Sequence, residues 1–172
     1  AAGAEDPSVQ VAAIRALGSV GDASALPLLI ESSAREDALG DAARQSLRRI
    51  CDPGVDQEIA ARLRAESDPA RRAGWIELVE ARRPAGAAAV LLAEATHDHP
   101  DVRSRAMAAL ANLAGPQDVA AMASAVLRAE KGGERDNAEK AVMLVCQQIP
   151  DPEKRAEPVV ELLKKSSPQD RA

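Results

Sequence analysis

The side chains best suited to chemistry form one short cluster, in the segment Thr-His-Asp-His-Pro-Asp at 96–101. His97 and His99 are the only histidines of the chain, and two aspartates lie beside them. Histidine nitrogens and carboxylate oxygens are ordinary ligands of transition metals. A polar loop between two helices explains the same residues without a metal. We therefore interpret the segment as a loop, keep His97 and His99 as weak metal candidates, and expect no cofactor.

The nucleophilic and aromatic side chains are few. Cys51 and Cys146 follow apolar residues, and neither has a histidine within its own repeat (defined below). A catalytic thiolate needs such a base nearby, so we expect both cysteines to be small buried core residues. Trp75 is the only aromatic residue, and its place in Trp-Ile-Glu-Leu-Val favours packing over stacking on a ligand. Motifs of nucleotide binding, zinc peptidases and serine hydrolases are absent, so we expect no enzymatic activity.

The composition favours an all-helical protein. Of the 172 residues, 38 are alanine and one is threonine, while tyrosine and phenylalanine do not occur. Alanine favours helices, whereas strands favour β-branched and aromatic residues. A core of small aliphatic side chains suits closely stacked helix pairs, in which each unit packs only on its neighbours.

The charge and hydropathy patterns narrow the expected partners. There are 27 acidic and 22 basic residues, and nucleic-acid binding needs a basic surface, so we expect no nucleic-acid partner. No run of 18 apolar residues occurs, so we expect no membrane insertion. The chain starts without methionine and stops abruptly, so we expect a segment of a longer protein. Its compartment, cytoplasmic or extracytoplasmic, stays open.

A pattern of apolar residues, caps and helix breakers recurs every 30 to 35 residues. The first unit places Val9, Ala13, Leu17 and Val20 at helical spacing. We predict caps at Asp6, Asp22, Asp37, Asp68 and around Pro100–Asp101. The predicted units are 5–36, 37–67, 68–98, 99–133 and 134–167, and 168–172 begins a further unit.

This pattern resembles the repeat of a known protein family. The string Asp-Pro-x-Val-x-x-x-Ala-x-x-Ala-Leu-x-x-x-Gly at 6–21, echoed at 100–115, resembles the bacterial HEAT repeat of the PBS lyase type. Ala-Leu-Pro-Leu-Leu at 25–29 resembles the second helix of that repeat. The resemblance implies an all-α, armadillo-like fold, with about five HEAT-type helical hairpins forming one α-solenoid (α-α superhelix).

The resemblance also implies a role. In HEAT arrays the second helices generally line a concave surface, and the polar residues predicted to lie there are Arg35, Glu58, Arg62, Glu94, Arg128, Glu161 and Lys164. This favours a non-catalytic scaffold or spacer module that binds another protein or neighbouring domains of its own chain. We expect the C-terminal repeat to be uncapped and available for self-association.

Two other functions fit the resemblance. The chain is also similar to HEAT segments that accompany glycan-processing or haem-binding domains in large bacterial extracytoplasmic enzymes. A HEAT-like DNA glycosylase or phycobilin lyase fits less well. A glycosylase needs a basic surface with aromatic residues, whereas this chain has a net charge of −5 and one aromatic residue.

Overall fold

The computed structural model describes residues 6–33 and 35–165, and these form ten α-helices and no strand. The helices are α1 (Pro7–Val20), α2 (Leu26–Ser33), α3 (Ala38–Arg49), α4 (Pro53–Ala65), α5 (Pro69–Arg82), α6 (Ala87–Glu94), α7 (Pro100–Leu113), α8 (Val119–Val126), α9 (Gly133–Cys146) and α10 (Glu157–Lys165). The helices pack pairwise, as in a HEAT-like array, so the predicted fold class is confirmed. The repeat boundaries stay a prediction, and the unit expected at 168–172 lies outside the described residues.

The chain divides into two compact units, 1–65 and 66–172. In the first unit, α1 and α2 both pack against α3. In the second, α5 packs on α7 and α7 on α9, while α6 packs on α7 and α8 contacts both α9 and α10. Each unit buries its own aliphatic core. Fully buried side chains include Leu26, Leu29, Ile50, Ile59 and Leu63 in the first unit, and Ile76, Leu91, Leu110 and Met122 in the second.

Aspartate side chains cap helices at the four predicted single positions. The carboxylates of Asp6, Asp22, Asp37 and Asp68 each accept a hydrogen bond from a backbone N–H in the first turn of the following helix. These bonds satisfy donors that would otherwise lack a partner. The fourth repeat differs in detail, because the cap of α7 is His99 and Pro100 occupies the first helical position.

The buried face of α1 differs from the predicted one. Val9 and Val20 are 60% and 84% exposed, and Ile14 and Gly18 are buried instead. The reason is the close approach of α3: a Cβ atom at Gly18 would lie 2.7 Å from Ser46 Cα. The Ser46 hydroxyl also donates to the Ile14 carbonyl at 2.8 Å. Helix α1 therefore packs against α3 through Gly18, while Val9 and Val20 stay exposed.

Apolar residues of the later first helices α3, α7 and α9 are also buried. Ala43, Leu47 and Ile50 are buried with α3, Val102, Ala106 and Leu110 in α7, and Ala141 and Val145 in α9. No helix within the described ranges is both long and apolar enough to cross a membrane.

Candidate functional site

The candidate residues of the first unit lie at the surface and are held by ion pairs. Arg35 lies in the loop between α2 and α3, where its guanidinium binds the Asp37 carboxylate, with Nη2 to Oδ2 at 2.5 Å. This pair lowers the pKa of Asp37 to about 2, and the N–H groups at the start of α3 contribute to the shift. On α4, Arg62 Nε donates to Glu58 Oε1 at 2.7 Å, one helical turn apart. These side chains keep about two fifths to one half of their surface exposed.

Three candidates of the second unit are also exposed. Arg128 lies just after α8, and neither an ion pair nor a side-chain hydrogen bond is found for it among the residues that the structure describes. Glu161 and Lys164 form an exposed pair on α10 at 3.2 Å. Arg128 is therefore the candidate most available to an outside group.

Glu94 lies in the interior and not on a surface. It is 3% exposed, and its two carboxylate oxygens accept hydrogen bonds at 2.5 and 2.9 Å from Arg72, which reaches it from α5. A buried carboxylate needs a partner of this kind, because an unpaired buried charge is strongly unfavourable. This placement corrects the expectation that Glu94 faces a groove, since its binding capacity is already used inside the unit.

A second buried ion pair was not predicted from the sequence. Arg103 at the start of α7 donates to Glu134 at the start of α9 at 2.7 and 3.0 Å, and the two side chains are 8% and 11% exposed. The hydrogen bonds from Arg103 lower the pKa of Glu134, and the same bonds raise the pKa of Arg103. The pair joins two consecutive first helices of the second unit.

Arginine also fixes the loops that precede the helices. The guanidinium groups of Arg44, Arg72, Arg103 and Arg135 each donate to a backbone carbonyl of the loop before their own helix, and Arg155, just before α10, donates to the Ile149 carbonyl. In four of the five, the carbonyl lies six residues earlier. The sequence signal for this contact is an arginine three residues after a proline at a helix start, as at Pro69 and Pro100. A search for this local pattern would find it.

The two histidines bind backbone groups. His97 Nδ1 accepts from the N–H of His99 at 3.0 Å, and His99 Nδ1 accepts from the N–H of Asp101 at 3.3 Å. Throughout 6–33 and 35–165, no group of three or more histidine, cysteine, aspartate and glutamate side chains is arranged to hold a metal. These backbone hydrogen bonds are those of a loop that connects two helices, as interpreted from the sequence, and they account for the positions of both histidine rings.

The cysteines and the tryptophan are less buried than predicted. Cys51 is exposed and Cys146 is intermediate, because each lies where a helix ends and one side of the chain faces outward. Partial burial raises the pKa of the Cys146 thiol. Trp75 is also intermediate, and its indole N–H binds the Glu66 carboxylate. The pKa of Glu66 is lowered, chiefly by a hydrogen bond from the N–H of Asp68.

Helices α1 and α2 contain most of the segment for which the comparison with known families gives a match. A capped first helix is followed by Gly21, a one-turn 3₁₀ segment and a short second helix that starts with Leu-Pro-Leu-Leu. Residues 9–34 match the PBS lyase HEAT-like repeat. The HEAT-like match confirms the resemblance predicted for this segment. Comparison with curated proteins and with solved structures gives no match.

Proposed function

We propose that this chain is a non-catalytic protein-interaction or spacer module built from HEAT-like helix pairs. HEAT repeats typically mediate protein interactions. The observation that carries the proposal is the HEAT-like match of residues 9–34, in a chain whose described helices pack pairwise. Extended surfaces of stacked helices bind partners without a specialised pocket.

The charged side chains on and beside the second helices supply the recognition chemistry. Arg62, paired with Glu58, is half-exposed in the first unit. Arg128 is exposed in the second unit, which also presents the Glu161–Lys164 pair. Such groups steer association and select among partners more than they add to affinity. We infer that Arg62 and Arg128 contact acidic groups of a partner.

The chemistry of the thiols supports a role other than catalysis. A nucleophilic cysteine needs a lowered pKa, usually from a neighbouring cation or a helix N-terminus. The pKa of Cys146 is raised instead, and this cysteine lies at the C-terminal end of α9. Both features disfavour a thiolate at Cys146.

The test compares three versions of the tagged full chain in affinity purification with quantitative mass spectrometry. The double variant Arg62→Glu with Arg128→Glu reverses one charge in each unit. The matched control is Arg15→Glu with Arg71→Glu, which changes the same charge at exposed positions of first helices. We expect at least one protein to be enriched by the parent and the control but not by the double variant. Equal enrichment by all three versions, or enrichment by none, contradicts partner binding through Arg62 and Arg128.

A further inference from the structure

The first helices of the second unit meet at two junctions, and the first junction is closed by a polar bridge. At the α5–α7 junction, Glu80 of α5 accepts from Arg105 Nη2 at 2.7 Å and from Asn112 Nδ2 at 2.8 Å. Glu77, also of α5, lies 3.3 Å from Arg105 Nε. Glu80 is therefore held by two donors of α7, and Glu77 adds a second carboxylate that forms an ion pair with Arg105.

The α7–α9 junction has the same framework but lacks these carboxylates. Arg72, Arg103 and Arg135 are equivalent, because each donates to the carbonyl six residues before it. Counting from these arginines, the positions of Glu77 and Glu80 are taken by Ala108 and Ala111. By the same count, Asn137 replaces Arg105 and Leu144 replaces Asn112.

A cavity of about 390 Å³ lies between α7 and α9 as a result. Its lining is mainly aliphatic and includes Met107, Ala108, Ala111, Ala141 and Leu144. Leu144 is 53% exposed there, although large aliphatic side chains usually pack inside. The volume suits a side chain or a small part of a ligand.

The polar groups around the cavity favour an anion. Lys140 and Asn137 line it, both are exposed, and no ion pair or hydrogen bond of either side chain is found within residues 6–33 and 35–165. The one carboxylate in the lining, Glu134, is already bound by Arg103 and by the N–H of Glu130. The cavity thus presents free donors, whereas the preceding junction places carboxylates against its donors.

We propose that this cavity binds an acidic segment of a partner protein. An aliphatic side chain of that segment occupies the space between Ala108, Ala111 and Leu144. The adjoining carboxylate binds Lys140 and Asn137, as Glu80 binds Arg105 and Asn112 at the preceding junction. The inference goes beyond the proposed function, because it assigns a separate site on first helices and states the chemistry of its ligand.

Two short peptides test the site on the isotopically labelled full chain by nuclear magnetic resonance. The probe is acetyl-Leu-Glu-Glu-Leu-amide, and the matched control peptide carries glutamine at both glutamate positions. We expect saturable shifts of the amide signals of Ala108, Ala111, Asn137 and Leu144 with the acidic peptide. The glutamine peptide should bind about fivefold more weakly, as expected for the loss of one surface ion pair.

Three variants locate the binding. Lys140→Gln should weaken the acidic peptide about fivefold, while Lys154→Gln, an exposed lysine outside the cavity, should leave it unchanged. Ala111→Glu restores a carboxylate to the junction and should abolish binding, with circular dichroism as the check that the helices are retained. Absence of saturable shifts at these residues, or equal binding of both peptides or of the Lys140 variant, overturns the inference.

The two proposals fail separately. A partner that is lost on Arg62→Glu with Arg128→Glu supports the proposed function, whereas the peptide titration alone decides the cavity site. Peptide binding at the cavity without any partner sensitive to the arginine variants supports the cavity site and contradicts partner binding through Arg62 and Arg128.

Discussion

At the scale of single residues, Arg103 and Glu134 show how burial and hydrogen bonding alter a carboxylate. Both side chains are about nine-tenths buried, and the two hydrogen bonds between them favour the charged form of each. The pKa of Glu134 is therefore lower in the folded chain than in the unfolded chain, where it has the ordinary value near 4.3.

The pH dependence of stability follows from the direction of this shift. A lowered folded-state pKa contributes stability that is complete above the unfolded pKa of about 4.3 and is lost as the pH falls through the folded value. We expect the free energy of unfolding in urea to fall as the pH drops below about 5. Glu134→Gln should make this fall shallower, whereas Glu161→Gln, at an exposed position, should not. Equal pH slopes for the parent and the Glu134 variant would contradict the assignment.

The burial of Glu94 could not be predicted from the residues around it in the sequence. Glutamate is almost never fully buried without a partner, so a polar position on a second helix is expected to face outward. The partner here is Arg72, which is 22 residues earlier and on another helix. No local pattern contains that pairing, and only the packing of α5 beside α6 brings the two side chains together.

At the scale of elements, replacing two glycines inside helices by alanine should have opposite effects on stability. Gly18 lies in the last turn of α1, where an added Cβ would approach Ser46 Cα within 2.7 Å. Gly74 lies inside α5 with nothing within 4 Å of such an atom. We expect Gly18→Ala to destabilise the chain by about 1–2 kcal/mol, because overpacking outweighs the gain in helix propensity. Gly74→Ala should stabilise it by about 0.5–1 kcal/mol.

Urea unfolding followed by far-ultraviolet circular dichroism measures both glycine variants, and each is the control for the other. Both replacements add one methyl group to a helix, so a difference in sign isolates the contact with Ser46. Stabilisation by both replacements would show that α1 and α3 can separate slightly without loss.

The elements were predictable where their signals are local. Asp6, Asp37 and Asp68 each bind N–H groups two or three residues away, so cap and helix start are visible together in the sequence. The buried face of α1 was not predictable, because it depends on how closely α3 approaches Gly18. The cavity between α7 and α9 was missed for the same reason, since alanine fits a helix equally well beside a cavity or a close contact.

At the scale of the whole molecule, the excess of acidic residues predicts weak interaction with nucleic acid. With 27 acidic and 22 basic side chains, the chain should not retard a labelled DNA duplex in a gel-shift assay at about 50–200 mM salt. The Arg15→Glu with Arg71→Glu variant serves as a more acidic control. Duplex binding by the parent that weakens steeply as salt rises would contradict this expectation and favour the glycosylase alternative.

The expected self-association stays a prediction at this scale. Val160 on α10 and Met143 on α9 are 44% and 61% exposed, so aliphatic surface is present near the C-terminal end of the described chain. The last predicted residues of that edge, 168–172, lie outside the described ranges. The same surface of α9 also carries the exposed charges of Glu139 and Lys140, which oppose burial against a second apolar surface.

The lone tryptophan gives the chain a built-in optical reporter. With neither tyrosine nor phenylalanine present, intrinsic fluorescence comes from Trp75 alone, in the second unit. Its indole is bound to the Glu66 carboxylate at the start of that unit, so its emission responds to the structure around this bond. The first unit contains no aromatic residue, so its own melting is followed through the backbone by circular dichroism.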